Sequence, residues 1–186
     1  MFAAPIALTT IRLLLGPLAI AFAMTHQSHF VYAPLLLIGM LTDIFDGVIA
    51  RRLGVVRPWL RRFDSITDII FYLSIFATTC LVAPAVVRRS ILPLSLLAGS
   101  EVTCLIVSFI RFRSLPAIHC YSAKVYGLVI FLAFFGVLAL QVGSWAFYVL
   151  AIVGLIANTE VIAILLLSNS APVDVLSVFR LKRKAA

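Results

Sequence analysis

Charge is scarce in this chain: of 186 residues, 12% are charged and only seven are acidic. A soluble domain carries about 25% charged residues. So little charge, beside 63% hydrophobic residues and a mean hydropathy of +1.17, excludes a water-soluble globule that hides its apolar surface in one core. Cysteine is scarce too. Cys80, Cys104 and Cys120 are an odd set without metal-ligand spacing, which argues against a disulfide framework or a zinc site and for three free thiols. Eight prolines and nine glycines are scattered, so there is no low-complexity tract, and no internal repeat is evident.

What the chain has instead is long apolar runs. A spanning helix needs about 20 mostly apolar residues. Runs of that kind fall at roughly 5–24, 31–50, 64–84, 91–110, 122–141 and 146–168, separated by short polar breaks. The expected fold is an all-α integral membrane protein, a six-transmembrane-helix bundle forming one domain over residues 1–186. The "AFA" at Ala21–Ala23 resembles a signal-peptidase site. The first ten residues carry no Lys or Arg, however, and the apolar run is long for a signal core.

The formal net charge is +8, and its placement is informative. Arg51, Arg52, Arg57, Arg61 and Arg62 lie between the second and third runs. Arg111, Arg113 and Lys124 lie between the fourth and fifth, and Arg180, Lys182, Arg183 and Lys184 in the tail. The other side has only Arg88 and Arg89. The positive-inside rule then puts both termini in the cytoplasm. The basic charge reads as topology and contact with anionic membrane lipids, and no nucleic-acid partner is expected.

The seven acids are not spread evenly, since Asp43, Asp46, Asp64 and Asp68 flank one cytoplasmic loop. On helices, Asp43 and Asp46 are i and i+3, and Asp64 and Asp68 are i and i+4, so each pair shares a face. Carboxylates at membrane depth cost about 2.5–3.5 kcal/mol each on insertion scales. Two ionised ones ~4 Å apart repel by ~4 kcal/mol at an effective dielectric of 20. A bound divalent cation offsets both terms. Oxygen donors without nearby His or Cys select Mg²⁺, Mn²⁺ or Ca²⁺. Four carboxylates suffice for two ions, an arrangement suited to phosphoryl chemistry.

Phosphate-binding parts follow directly. Gly47 lacks a Cβ and lets a ligand approach the helix closely. Ala50 keeps the same face low, and Arg51, one turn beyond Gly47, can hold a phosphate through two parallel charge-assisted bonds. Alone, Gly47 and Ala50 also read as a helix-packing face.

Together these residues resemble the CDP-alcohol phosphatidyltransferases, whose motif reads D-x2-D-G-x2-A-R-x8-G-x3-D-x3-D. Asp43, Asp46, Gly47, Ala50, Arg51, Asp64 and Asp68 match in identity and spacing. Leu60 departs: a branched side chain stands where the family has its second glycine, and Gly54 does not restore the spacing. The segment "LTTIRLLLGP", Leu8–Pro17, is similar to the family's first helix. That similarity would put Arg12 near the cytoplasmic cavity; the alternative is a cation snorkelling to the headgroups.

The resemblance implies a homodimer with a polar cavity open to the cytoplasm, in a bacterial inner membrane. Asp43, Asp46, Asp64 and Asp68 would be ligands to two Mg²⁺ (or Mn²⁺) ions. Asp68 would also take the proton of the acceptor hydroxyl, and Asp43, Gly47, Ala50 and Arg51 would contact the CDP moiety. A phosphatidyl group would pass from a CDP-alcohol, CDP-diacylglycerol above all, to an alcohol acceptor, releasing CMP. Cations such as Arg111, Arg113 and Lys124 would bind a phosphate on that acceptor, with glycerol 3-phosphate favoured by likeness to phosphatidylglycerophosphate synthases. As ordinary positive-inside residues they need no such role.

Other polar residues are less telling. His119 reads as a solvated loop residue. Glu101 and Glu160 are intramembrane acids suited to hydrogen bonding inside the bundle or in a wet cavity. Trp145 and Tyr148 suit an interfacial anchor. A divalent-cation transporter also needs intramembrane carboxylates, but its site lies near the midplane, often between inverted repeats. Prenyltransferases use paired aspartates without the Gly47–Ala50–Arg51 spacing. A non-catalytic lipid-binding relative would not need all four aspartates.

Overall fold

The computed structural model describes residues 3–52, 58–113, 120–168, 175, 177 and 178. It leaves out the side chains of residues 3–5, 47, 50, 51, 58, 61, 62 and 65 within its helices. Seven α-helices account for almost all of the described chain, with no strand among the described residues. They are α1 (Ala3–Met24), α2 (Tyr32–Arg52), α3 (Pro58–Val82), α4 (Pro84–Arg89), α5 (Ile91–Phe112), α6 (Tyr121–Leu138) and α7 (Trp145–Leu167), with a 3₁₀ turn at His29–Val31 leading into α2.

Six of these helices coincide with the six apolar runs, and five are long and apolar enough to cross a membrane. The exception is α3, whose apolar part is only Ile66–Val82. Its first turns carry Arg61, Arg62, Asp64 and Asp68, and those charges break the run. The short α4, unforeseen in the sequence, takes up Arg88 and Arg89 in its last turn.

The chain divides into two compact units. The first comprises Met1–Val87 with Phe134–Gly143. Within it α1 packs on both α2 and α3, and Tyr72 on α3 meets the Phe134 ring. At Gly39 on α2 an added Cβ would lie 2.6 Å from the Phe71 ring of α3, so the missing side chain leaves room for that ring against the α2 backbone. The turn after α6 returns Leu140 N–H to Phe135 O and Val142 N–H to Gly136 O, with Gln141 in the left-handed region. These bonds satisfy the carbonyls a helix end leaves open.

The second unit comprises Arg88–Ala133 and Ser144–Ala186, with α5 packed on α7. At Gly154 of α7 an added Cβ would collide with Leu97 and Tyr126. Cys104, Cys120, Val161, Ile164 and Leu165 form its core, against which Val175 and Val178 pack. All three cysteines are free.

Large apolar side chains lie on the outside, and several polar ones are buried beside a core that is itself mostly apolar. Leu14, Leu73, Ile110 and Ile156 are exposed, whereas Thr9, Arg12, Asp46, Thr67, Thr78 and Thr79 are buried. Outward apolar surface suits lipid, and inward polar groups suit a functional interior. Several helix hydroxyls return their protons to carbonyls of the preceding turn, as at Thr10 to Ile6 O, Thr42 to Gly39 O and Thr79 to Ile75 O, which removes the cost of burying them unpaired, whereas the buried Thr67 and Thr78 hydroxyls have no such partner among the described residues.

Candidate active site

The last turns of α2 carry Asp43 and Asp46, and the first turns of α3 carry Asp64 and Asp68. Because α1 packs on both helices, one of its side chains can reach all four acids. That side chain is Arg12, 1% exposed. Its Nη1 binds Asp43, its Nη2 binds Asp64 and lies 3.2 Å from Asp46 Oδ2, and its Nε lies 3.1 Å from Asp68 Oδ1. The Nε contact is an ion pair without the alignment of a hydrogen bond. Arg12 is therefore inside the site and not snorkelling to the headgroups.

The four aspartates are not equivalent. Asp43, Asp64 and Asp68 each offer a carboxylate oxygen within 4.8 Å of the other two. Their side chains are 50%, 37% and 35% exposed, against 6% for Asp46. Asp46 differs in being buried and in accepting from Thr9 Oγ1 at 3.2 Å as well as from Arg12, while it also contacts Asp64 of the triangle. Three accessible carboxylates thus converge over one that is sequestered and doubly hydrogen bonded. Hard oxygen donors at this spacing fit a divalent cation of the Mg²⁺ or Mn²⁺ type.

Thr9 escaped the reading of the sequence. The signal was present, since Thr9 and Arg12 are i and i+3 and share one face of α1, but nothing in α1 alone says that an acid lies opposite. Tyr72, one turn beyond Asp68, is a second residue the sequence did not single out; it lies within electrostatic range of Asp43 and Asp68.

Gly47, Ala50 and Arg51 continue α2 beyond Asp46, at positions i+4, i+7 and i+8 from Asp43 and so on the same helical face; their side-chain surroundings lie outside the described residues. Leu60, the departure from the motif, is a buried residue of α3, 6% exposed. Gly54, Arg57 and His119 lie outside the described residues.

The three cations expected to meet an acceptor phosphate are all in the second unit. Arg111 donates to Leu166 O at 2.5 Å and Ser168 O at 3.1 Å, closing the C-terminus of α7 as a cation is suited to do. Arg113 ends α5 in the left-handed region and is exposed. Lys124 is exposed on α6, its Nζ 5.6 Å from the Tyr121 ring centroid.

Both intramembrane glutamates are hydrogen bonded. Glu101 pairs with the Tyr126 hydroxyl. Glu160 accepts from Ser122 Oγ, Ser177 Oγ and Val178 N–H at 2.6, 3.0 and 3.2 Å. Close to it in the chain, Asn158 Nδ2 donates to Ser100 Oγ at 2.9 Å. Glu160 thereby ties the start of α6 and the tail segment to α7.

The structure thus sets three carboxylates close enough together to hold a cation on a scaffold of apolar helices long enough to cross a membrane. The family follows from comparison: residues 2–171 match CDP-alcohol phosphatidyltransferase, and the chain belongs to that family. It is accordingly a phosphotransferase of a kind that moves a phosphatidyl group from a CDP-alcohol to an alcohol, in a family generally dependent on a divalent metal. Searches of curated proteins and of solved structures returned no match.

Proposed function

We propose that this chain transfers the phosphatidyl group of CDP-diacylglycerol to a small alcohol, with glycerol 3-phosphate as the favoured acceptor, and releases CMP. The observation that carries this reading is the convergence of Asp43, Asp64 and Asp68 within 4.8 Å, at positions matching the family motif. A divalent cation held there, or two with Asp46 contributing, would neutralise the pyrophosphate and make CMP a better leaving group.

The remaining work falls to the chain's own residues. Gly47 and Ala50 leave the α2 face low enough for the CDP moiety, Arg51 pairs with its phosphates, and Asp43 shares in holding it. Asp68 takes the proton of the acceptor hydroxyl as its oxygen attacks the phosphorus that carries the diacylglycerol. The bond from that phosphorus to the CMP oxygen breaks, and the electron pair leaves with CMP. One in-line displacement inverts the configuration at phosphorus. Of the three cations proposed for an acceptor phosphate, Arg111 is engaged in a carbonyl cap, which leaves Arg113 and Lys124 as the favoured pair.

The same reading has six spans, α3 completing the five apolar helices, with both termini and the site on the cytoplasmic side of a bacterial inner membrane. It also has the enzyme as a homodimer. A family match that runs through both units supports treating residues 1–186 as one functional domain.

The test incubates purified protein with CDP-diacylglycerol, Mg²⁺ or Mn²⁺ and a panel of alcohols, measuring CMP and identifying the lipid. CMP should appear only with metal, and most rapidly with glycerol 3-phosphate. Asp68→Asn should lower turnover by roughly 10²–10⁴-fold, the usual range for a general base, while donor binding persists. Near-normal turnover in that variant would remove Asp68 from the base role.

A further inference from the structure

Arg12 holds the four carboxylates together in a way the transfer reaction does not by itself require. A guanidinium cannot discharge in a protein, so burying one is tolerable only among anions. Here a single side chain, 1% exposed, is shared among Asp43, Asp46, Asp64 and Asp68. Four carboxylates against one guanidinium leave a formal charge of minus three around it. The Nε faces Asp68 without hydrogen-bond alignment, so that contact is held by charge alone.

Three of those acids are the ones whose oxygens also lie close enough together to hold an ion. A guanidinium and a divalent cation on the same three carboxylates would be like charges a few ångströms apart in a weakly screened site. We infer that Arg12 is a resident counter-cation of the cage and competes with the divalent ion for Asp43, Asp64 and Asp68. Its bond to Asp46, which Thr9 shares, keeps that carboxylate placed in both states. The cage is thus assembled before metal arrives, and Arg12 sets the concentration at which metal enters. Arg12 is a positioning residue here. The inference rests on the metal-binding reading of the aspartates given above.

The test uses the full chain in detergent and Mn²⁺ alone, with free Mn²⁺ followed by electron paramagnetic resonance and thermal unfolding followed without metal. Arg12→Met should lower the metal-free melting temperature yet bind Mn²⁺ roughly tenfold or more tightly, because a like charge has left the site. Arg12→Lys keeps the charge but loses the fork. It should also melt lower without metal, with Mn²⁺ affinity staying near that of the wild type. Unchanged or weaker Mn²⁺ binding by Arg12→Met overturns the inference, because a merely structural arginine would not oppose metal.

Should Arg12→Met fail to fold, wild-type protein labelled with ¹⁵N-arginine decides. The Arg12 Nε–H resonance should shift on saturation with Mg²⁺, and an unmoved resonance overturns the inference. Asp64→Asn separates the metal site from the role of Arg12. If the wild type binds no Mn²⁺, or the Asp64→Asn variant binds it equally well, the metal reading fails and this inference fails with it. If Asp64→Asn weakens binding while Arg12→Met leaves it unaltered, only the role of Arg12 falls.

Discussion

Asp46 and Asp43 are three residues apart on one helix, yet they occupy different chemical settings. Asp43 is half exposed and belongs to the triangle, whereas Asp46 is nearly sealed and held by Thr9 and Arg12. The Thr9 hydroxyl is one of few donors to a buried carboxylate, and hydrogen bonds to charged groups contribute about 1.5–3 kcal/mol. Thr9→Val keeps the shape and removes the donor. It should lower the melting temperature of the metal-free protein and reduce turnover, with CMP release and thermal unfolding as the two measurements; no change in either would mean that Arg12 alone holds Asp46. The pairing of Asp43 with Asp46 and of Asp64 with Asp68 was legible from helical spacing. The division of labour among the four was not, because it depends on how deeply each carboxylate is buried and on which of them Thr9 reaches.

At the scale of elements, the first unit is organised by α1, on which both α2 and α3 pack. Gly39 sits against the Phe71 ring, with 2.6 Å from an added Cβ to the nearest ring atom. Gly39→Ala must push α2 and α3 apart or turn the ring, and overpacking of this kind costs about 1–3 kcal/mol. Because those helices present the aspartates, activity should fall along with the melting temperature; a variant as stable as the wild type would show that Phe71 yields freely. In the second unit, Arg111 and Arg113 make opposite predictions despite lying two residues apart. Arg111→Gln removes the donors that close α7 and should lower the melting temperature. Arg113→Gln should leave stability alone and raise the KM for a phosphorylated acceptor. Equal effects of the two substitutions on KM would return Arg111 to the acceptor site. From the sequence the two arginines were alike, since a cap exists only once α5 lies beside the end of α7.

At the scale of the whole molecule, large apolar side chains such as Leu14, Leu73, Ile110 and Ile156 are exposed, which suits a lipid surround. The positive-inside distribution makes a topological prediction. A reporter that fluoresces only in the cytoplasm should be bright when fused after Ala186 and dark when inserted after Arg89. A bright signal at both positions would invalidate the six-span arrangement, and with it the placement of α3 across the membrane. The charges that interrupt the apolar character of α3 are in part the site itself, Asp64 and Asp68, so function and spanning compete within one helix.

The sequence by itself determined the helical class, the approximate limits of six apolar segments and the four aspartates. Hydropathy and helical periodicity are local properties, written in a window of about 20 residues. The family was legible for the same reason, as its motif occupies one stretch from Asp43 to Asp68. Tertiary structure decided what depends on packing between segments: that Arg12 stands among all four acids, that Thr9 donates to the buried Asp46, that Arg111 caps α7, and that Glu160 ties the tail to the start of α6. Each joins residues at least 17 positions apart, and an ion pair or a hydrogen bond over such a separation exists only where helix packing brings donor and acceptor to bonding distance.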